Sequence, residues 1–151
     1  MEFEIEKFIK KQEEFYETAL REIKFGHKES HWMWYIFPQL RGLGKTYTAY
    51  KYGIEGIEEA KLYLANDYLR NNLIKISEAL LELENNDPYE VVNDDYKKLR
   101  SSMTLFYVAS NNEIFKKVLD KYYGGKLDNL TLKMLNEGDT KWKRNWLILH
   151  K

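Results

Sequence analysis

The densest chemical potential in the chain lies between Ser30 and Thr46, SHWMWYIFPQLRGLGKT. Two tryptophans flank Met33, Pro38 and two glycines tighten the backbone, and His31, Gln39, Arg41 and Lys45 supply polar ends. Aromatic walls with a few polar groups are what a planar, polar ligand requires. Trp32, Trp34 or Tyr35 would stack its flat part, with Gln39 among the polar groups. Backbone N–H groups at Gly42 and Gly44, beside Lys45, would hold phosphate. The same composition also describes a knot of core aromatics followed by an ordinary turn.

Two tempting chemistries fail on spacing. GLGKT at 42–46 lacks the earlier glycine of a P-loop, because position 39 is Gln, and no clean strand precedes it. His27 and His31 stand four apart, the spacing of two ligands on one helix face, but Gly26 opposes a helix there and no third ligand is evident. No metal site is therefore expected. His31 remains a candidate for proton transfer, or else a hydrogen-bonded structural histidine.

A second constellation runs from Asp94-Asp95 through Arg100-Ser101-Ser102-Met103-Thr104-Leu105-Phe106. On a helix, Arg100 and Thr104 share one face and Ser102 and Phe106 another. Hydroxyls inside an apolar helix need partners, whether a ligand or a neighbouring helix. Glu58 and Glu59 suit the first turn of a helix. One of them facing the pocket would serve as a general base or stabilise an oxocarbenium ion.

These groups must be positioned by helices. Phe8, Ile9, Gln12, Phe15, Tyr16, Ala19, Leu20 and Ile23 recur at three- and four-residue spacing and predict a long helix stopped by Gly26. His31–Phe37 reads as a buried segment, extended or tightly turned. Ile57–Leu83 predicts two helices divided near Asn66-Asp67, and Asn85–Pro88 ends the second. Tyr89–Val92 could be a strand or a turn. Asp94 is the expected N-cap of a helix to about Ala109, and Asn111 or Asn112 caps the next. Gly124-Gly125 ends that one, and Asp128 is placed to cap a helix over 129–135. The expectation is an all-α or nearly all-α bundle of about six helices, with an irregular aromatic and glycine segment after the first. No repeat or domain boundary is apparent. The chain reads as a single domain over residues 1–151, ending in a tryptophan-bearing tail over 136–151 whose Trp142 and Trp146 suit a short helix.

Composition narrows the function classes. Lys plus Arg and Asp plus Glu each total 24, so no whole-molecule field favours duplex nucleic acid or an anionic membrane. The basic-aromatic cluster Lys141, Trp142, Lys143, Arg144 and Trp146 reads as a solvated amphipathic end. The absence of cysteine excludes disulfides, thiolate metal sites and a cysteine nucleophile. The N-terminus mixes charged with apolar residues and is neither a signal peptide nor a span, so a cytoplasmic location is expected. Nothing in the composition bears on oligomeric state.

HWMWYIFPQLRGLGKT, Glu59-Ala60 with Tyr63-Leu64, KLRSSMTLF, Phe115 with Val118-Leu119, and Gly125, Asp128 and Thr131-Leu132 resemble a bacterial family of unknown function. Its members are sometimes mislabelled calpastatin, a name nothing in this chain supports. The resemblance covers roughly Phe8 to Leu135, with Thr46 where the family more often carries Ser. More remotely, Glu59 with Tyr63, Arg100 with Met103 and Phe106, Phe115 with Leu119, and Asp128 are similar to the pattern of the NADAR group, associated with NAD and ADP-ribose metabolism. That second resemblance implies metal-independent hydrolysis of an N-glycosidic bond in an ADP-ribosyl or ribosyl-phosphate substrate, with no cofactor. Glu59 would then stabilise the ribosyl cation or activate water, and His31 would assist. The ligand contacts would come from Trp32, Trp34, Tyr35, Gln39, Gly42, Gly44, Lys45, Tyr63, Arg100, Ser102, Thr104 and Asp128. The alternative is a non-catalytic module that binds a nucleotide metabolite or a partner protein.

Overall fold

The apolar stripe of the first segment is buried along α1 (Glu6–Phe25), where Phe8, Tyr16, Ala19, Leu20 and Ile23 face the core. Burying each large side chain of this kind contributes roughly 1.5–3 kcal/mol. Gly26 ends α1 at φ 93°, its N–H reaching the carbonyls of Glu22 and Ile23 at 3.0 and 2.9 Å. The computed structural model describes residues 3–137, so the expected helix around Trp142 and Trp146 lies outside the described residues.

After α1 come α2 (Met33–Ile36), α3 (Tyr47–Lys51), α4 (Ile57–Ala65) and α5 (Asp67–Glu82). α6 (Pro88–Val92) leads through a 3-10 turn at Asn93–Asp95 into α7 (Tyr96–Ser110), followed by α8 (Glu113–Tyr123) and α9 (129–137). The fold is all-α. Among the described residues no strand forms, and the sole β-type pairing is an isolated parallel bridge between Leu40 and Ile54. Side-chain caps set several boundaries: Asn66 Oδ1 accepts from the Leu69 N–H at 3.0 Å, and Asn112 Oδ1 from Ile114 at 3.0 Å. Asn111, at φ 57°, takes the left-handed position that ends α7.

α1 packs on α5 and α2, α5 also on α8, and α7 lies between α4 and α8. Leu99, Met103, Leu105 and Phe106 of α7 are fully buried in the centre. No helix among the described residues is long and apolar enough to cross a membrane.

The long helices α1, α4, α5, α7, α8 and α9 are the expected ones; the short α2, α3 and α6 are additions. His31–Phe37 is not extended, because α2 turns within it. One helical turn sends Trp32, Met33, Ile36 and Phe37 together into the core and leaves Trp34 and Tyr35 at its margin, which an alternating strand cannot do. Tyr89–Val92 is helical rather than strand or simple turn, since Asp87 Oδ1 accepts from the Tyr89 N–H at 3.0 Å and Pro88 fills the first helical position. Asp94 is not the cap of α7. Asp95 stands at that position, and its carboxylate instead pairs with Lys98 and Lys28 at 2.9 and 3.0 Å.

Candidate functional site

A pairing between two loop segments builds the site. The Arg41 N–H donates to the Ile54 carbonyl at 2.8 Å, and the Ile54 N–H to that of Gln39 at 2.9 Å. This closes residues 41–53 into a loop carrying α3, whose N-cap Thr46 accepts from the Ala49 N–H at 3.1 Å. Glycines make the closure sterically feasible. A Cβ on Gly53 would stand 2.6 Å from the Arg41 Cα, and one on Gly44 would stand 2.5 Å from the Ala49 Cβ. Gly42 adopts φ 103°, with Met134 of α9 alongside.

Between this loop, the start of α1 and the start of α4 lies a cleft of about 540 Å³. Phe3, Glu4 and Lys7 line it from one side, Arg41, Tyr47, Tyr50 and Lys51 from the loop, and Glu55 and Glu59 from the approach to α4. Tyr47 and Tyr50 are 77% and 61% exposed. The Arg41 guanidinium lies 4.5 Å from the Tyr50 ring centroid, donates through Nε to the Tyr50 carbonyl at 2.8 Å, and pairs through Nη1 with Glu55 at 2.5 Å. Lys7 Nζ donates to the Lys51 carbonyl at 2.6 Å. Burial, and after it the nearby Arg41 charge, lower the Lys7 pKa below the ordinary lysine value.

Glu59 belongs to the first turn of α4, and its Oε1 accepts from the Glu55 N–H at 3.0 Å. Glu58 faces away from the cleft and stands 3.9 Å from Lys61. Of the two acids, Glu59 is therefore the one available to chemistry in the cleft.

The remaining expected residues fall into two other groups and a few isolated positions. Trp32 and Tyr63 are fully buried. The Trp32 indole donates to Glu22 at 2.9 Å, and the Tyr63 hydroxyl accepts from Gln12 at 2.8 Å. Tyr35 stacks on Phe15 at 5.4 Å and meets Tyr52 edge-on at 4.8 Å. Tyr52 in turn lies within cation–π reach of Lys7 and Lys51, so this aromatic group backs the cleft without lining it. Trp34 is half-buried, with Lys98 Nζ 6.0 Å from its ring.

The second group gathers on Asp128. Its Oδ1 pairs with Arg100 at 3.3 Å, its Oδ2 accepts from the Thr131 N–H and hydroxyl at 2.9 and 2.6 Å, and its N–H donates to the Thr104 hydroxyl at 2.9 Å. This arrangement caps α9 and fastens it to α7. Ser102 is fully buried, and its hydroxyl has no partner among the described residues. His31 and Lys45 are exposed and Gln39 is half-buried; none of the three lines the cleft. His27 and His31 sit in the irregular stretch after Gly26, not on a helix face.

Sequence reasoning passed over Lys7, Tyr47, Tyr50 and Glu55 and gave Arg41 no specific role. One signal was available: TYTAYKY places Tyr47 and Tyr50 three apart, a spacing that sets both on one helix face.

Comparison with known proteins gives a fold relative and no functional one. The conserved hypothetical protein Rv1873 from Mycobacterium tuberculosis has a crystal structure similar to this chain at a TM-score of 0.87. It is 39% identical, over 89% of this chain and 97% of the other. No curated protein matches. The match over residues 2–135 to the family described as "Protein of unknown function (DUF1810)" spans nearly the whole described region, and the chain belongs to that family.

Proposed function

We propose that the cleft binds a small ribose-phosphate-like or nucleotide-like molecule and that Glu59 promotes hydrolysis of its N-glycosidic bond. The observation that carries this reading is the meeting of Glu59 with Arg41, Lys7 and two exposed tyrosines around one cleft. With Oε1 engaged by the Glu55 N–H, Glu59 Oε2 is the oxygen that would face a ligand. In the reaction, water adds to the anomeric carbon as the carbon–nitrogen bond breaks. Glu59 stabilises the ribosyl cation or takes the proton from water, and the leaving nitrogen gains a proton. Tyr47 or Tyr50 offers a face to the planar leaving group. The resemblance to the NADAR group supports the same substrate class, although two of its other matching positions, Arg100 and Asp128, serve here to hold α9.

Incubation of ADP-ribosylated protein and nucleic acid with wild type and with Glu59→Gln tests the reading. Release of product by the wild type and its loss in the variant supports it; equal release by both, or none from either, sinks it.

Binding without turnover is a second reading, favoured by the position of His31 away from the cleft, whose lining among the described residues contains no imidazole to protonate a leaving group. It predicts saturable ligand binding that Glu59→Gln leaves in place, with no bond cleavage.

A further inference from the structure

We propose that Lys7 and Arg41 form an oxyanion subsite within the cleft, taking the phosphate of a ligand whose hydroxyl groups face Glu59. The subsite rests on the cleft being the ligand site and is independent of whether the ligand is hydrolysed.

Two cations are anchored there on consecutive carbonyl oxygens at the C-terminal end of α3. Arg41 Nε bonds to the Tyr50 carbonyl at 2.8 Å and Lys7 Nζ to the Lys51 carbonyl at 2.6 Å. Both carbonyls belong to the end of α3, so the two cations converge on that end, and the Arg41 charge acts on Lys7. The last carbonyls of a helix lack partners within it, and each of the two cations caps one of them. Two like charges so placed repel, and the pKa of Lys7 is lowered first by burial and second by that repulsion. Glu55 answers Arg41 through Nη1, whereas no carboxylate among the described residues lies within ion-pair distance of Lys7. Arg41 Nη2 has no hydrogen-bond partner among the described residues, while Nε and Nη1 are both held and the guanidinium rests on the Tyr50 ring. An immobilised guanidinium with an edge unoccupied among the described residues, close to an ammonium that has no carboxylate partner among them, is a preorganised receiver for an oxyanion.

The carboxylates of the same cleft fix the other half of the ligand. Glu4 and Glu59 act on Lys7 at longer range, and Glu59 Oε2 is an acceptor without a described donor. A ligand carrying only anionic groups would be repelled by them. One carrying a phosphate at one end and hydroxyl donors at the other satisfies both, which is the chemistry of a sugar phosphate.

Titration of the full chain with ribose 5-phosphate, ribose and inorganic phosphate, followed by amide chemical shifts, tests the subsite. Ribose 5-phosphate is expected to bind with shifts at Lys7, Arg41 and Glu59, and inorganic phosphate to shift Lys7 and Arg41 alone. Lys7→Met should weaken ribose 5-phosphate by roughly tenfold or more, Lys7→Arg by less, and the remote Lys61→Met not at all. Equal binding of ribose and ribose 5-phosphate, unchanged affinity in a folded Lys7→Met, or no binding of ribose 5-phosphate overturns the subsite. Phosphate-dependent binding in a protein that cleaves no glycosidic bond would leave the subsite standing and remove only the hydrolysis.

Discussion

The Trp32 indole N–H donates to Glu22 Oε1 at 2.9 Å, and this bond joins the aromatic segment to the last turn of α1. The same carboxylate accepts from the N–H groups of Glu29 and Ser30 at 2.7 and 2.9 Å and from the Ser30 hydroxyl at 2.5 Å. The chain turns back at Gly26, and the returning segment closes its donors around an acid near the end of the helix it has just left.

Acid sensitivity follows from this cage. Burial would raise the Glu22 pKa, but the four hydrogen bonds outweigh it and hold the group at about 2, against an ordinary 4.5. A depressed carboxylate stabilises the fold fully above its unfolded value, and the contribution fades as pH falls from 4.5 toward 2. The difference corresponds to about 3 kcal/mol. Glu22→Gln should therefore be markedly less stable than wild type at neutral pH, and the gap should narrow steadily through that acid window. Chemical denaturation at a series of pH values measures it; a gap independent of pH would show that the charge is not what matters.

Asp128 supports a second prediction. Its two oxygens cap α9 at Thr131 and pair with Arg100, whose side chain is one-third exposed. The partly exposed pair is worth about 1 kcal/mol, and the cap contributes about 1 kcal/mol more. Asp128→Ala should cost about 2 kcal/mol, and Asp128→Asn, which retains a capping oxygen, about half of that. Hydrogen exchange over 129–137 should accelerate in Asp128→Ala. Equal stability of the Ala and Asn variants would assign the whole effect to the Arg100 pair.

Lys7 gives a prediction of opposite sign. Its folded pKa lies below 10.5 through burial and then through Arg41, so the folded state penalises the charged amine. That penalty is complete below the lowered value, declines as pH rises through it, and vanishes above 10.5. The stability of Lys7→Met relative to wild type should accordingly be most favourable near neutrality and decline as the solution becomes alkaline. Parallel thermal melts of the two proteins read the trend; a constant difference would mean that Lys7 carries no charge penalty in the fold.

The elements legible in the sequence were those with either several turns of period or a punctuating residue. α1 shows both, its stripe ending at Gly26, and Asn66, Asn112 and Gly124 mark other boundaries. α2, α3 and α6 span a turn or slightly more, too short to establish a period, although Asp87-Pro88 at the start of α6 carries an N-cap signature. The candidate site was legible at Glu59, an acid in the first turn after glycines. Its cationic neighbours were hidden by distance along the chain: Lys7 looks like one more solvent-facing lysine of α1, and its role depends on where the 41–53 loop settles. Glu22 was hidden for the same reason, since nothing in a charged helical pattern distinguishes an acid that a returning segment will bury.

The settling of that loop depends on Gly44, which is the ground for a fourth prediction. A Cβ there would lie 2.5 Å from that of Ala49, inside any tolerated contact, and Ala49 is itself buried on α3. Gly44→Ala must push α3 outward or distort the turn, at a cost of about 1–3 kcal/mol. Displacing α3 also moves the Tyr50 and Lys51 carbonyls on which Arg41 and Lys7 are anchored, so ligand affinity in the cleft should fall with stability. Removing the opposing methyl relieves the clash. Ala49→Gly costs roughly 0.5–1 kcal/mol by itself in a helix, so the double variant Gly44→Ala/Ala49→Gly should be more stable than Gly44→Ala alone. Denaturation of the three variants and wild type completes the cycle. If the double variant is no better than Gly44→Ala, the contact with Ala49 is not what requires a glycine at this position.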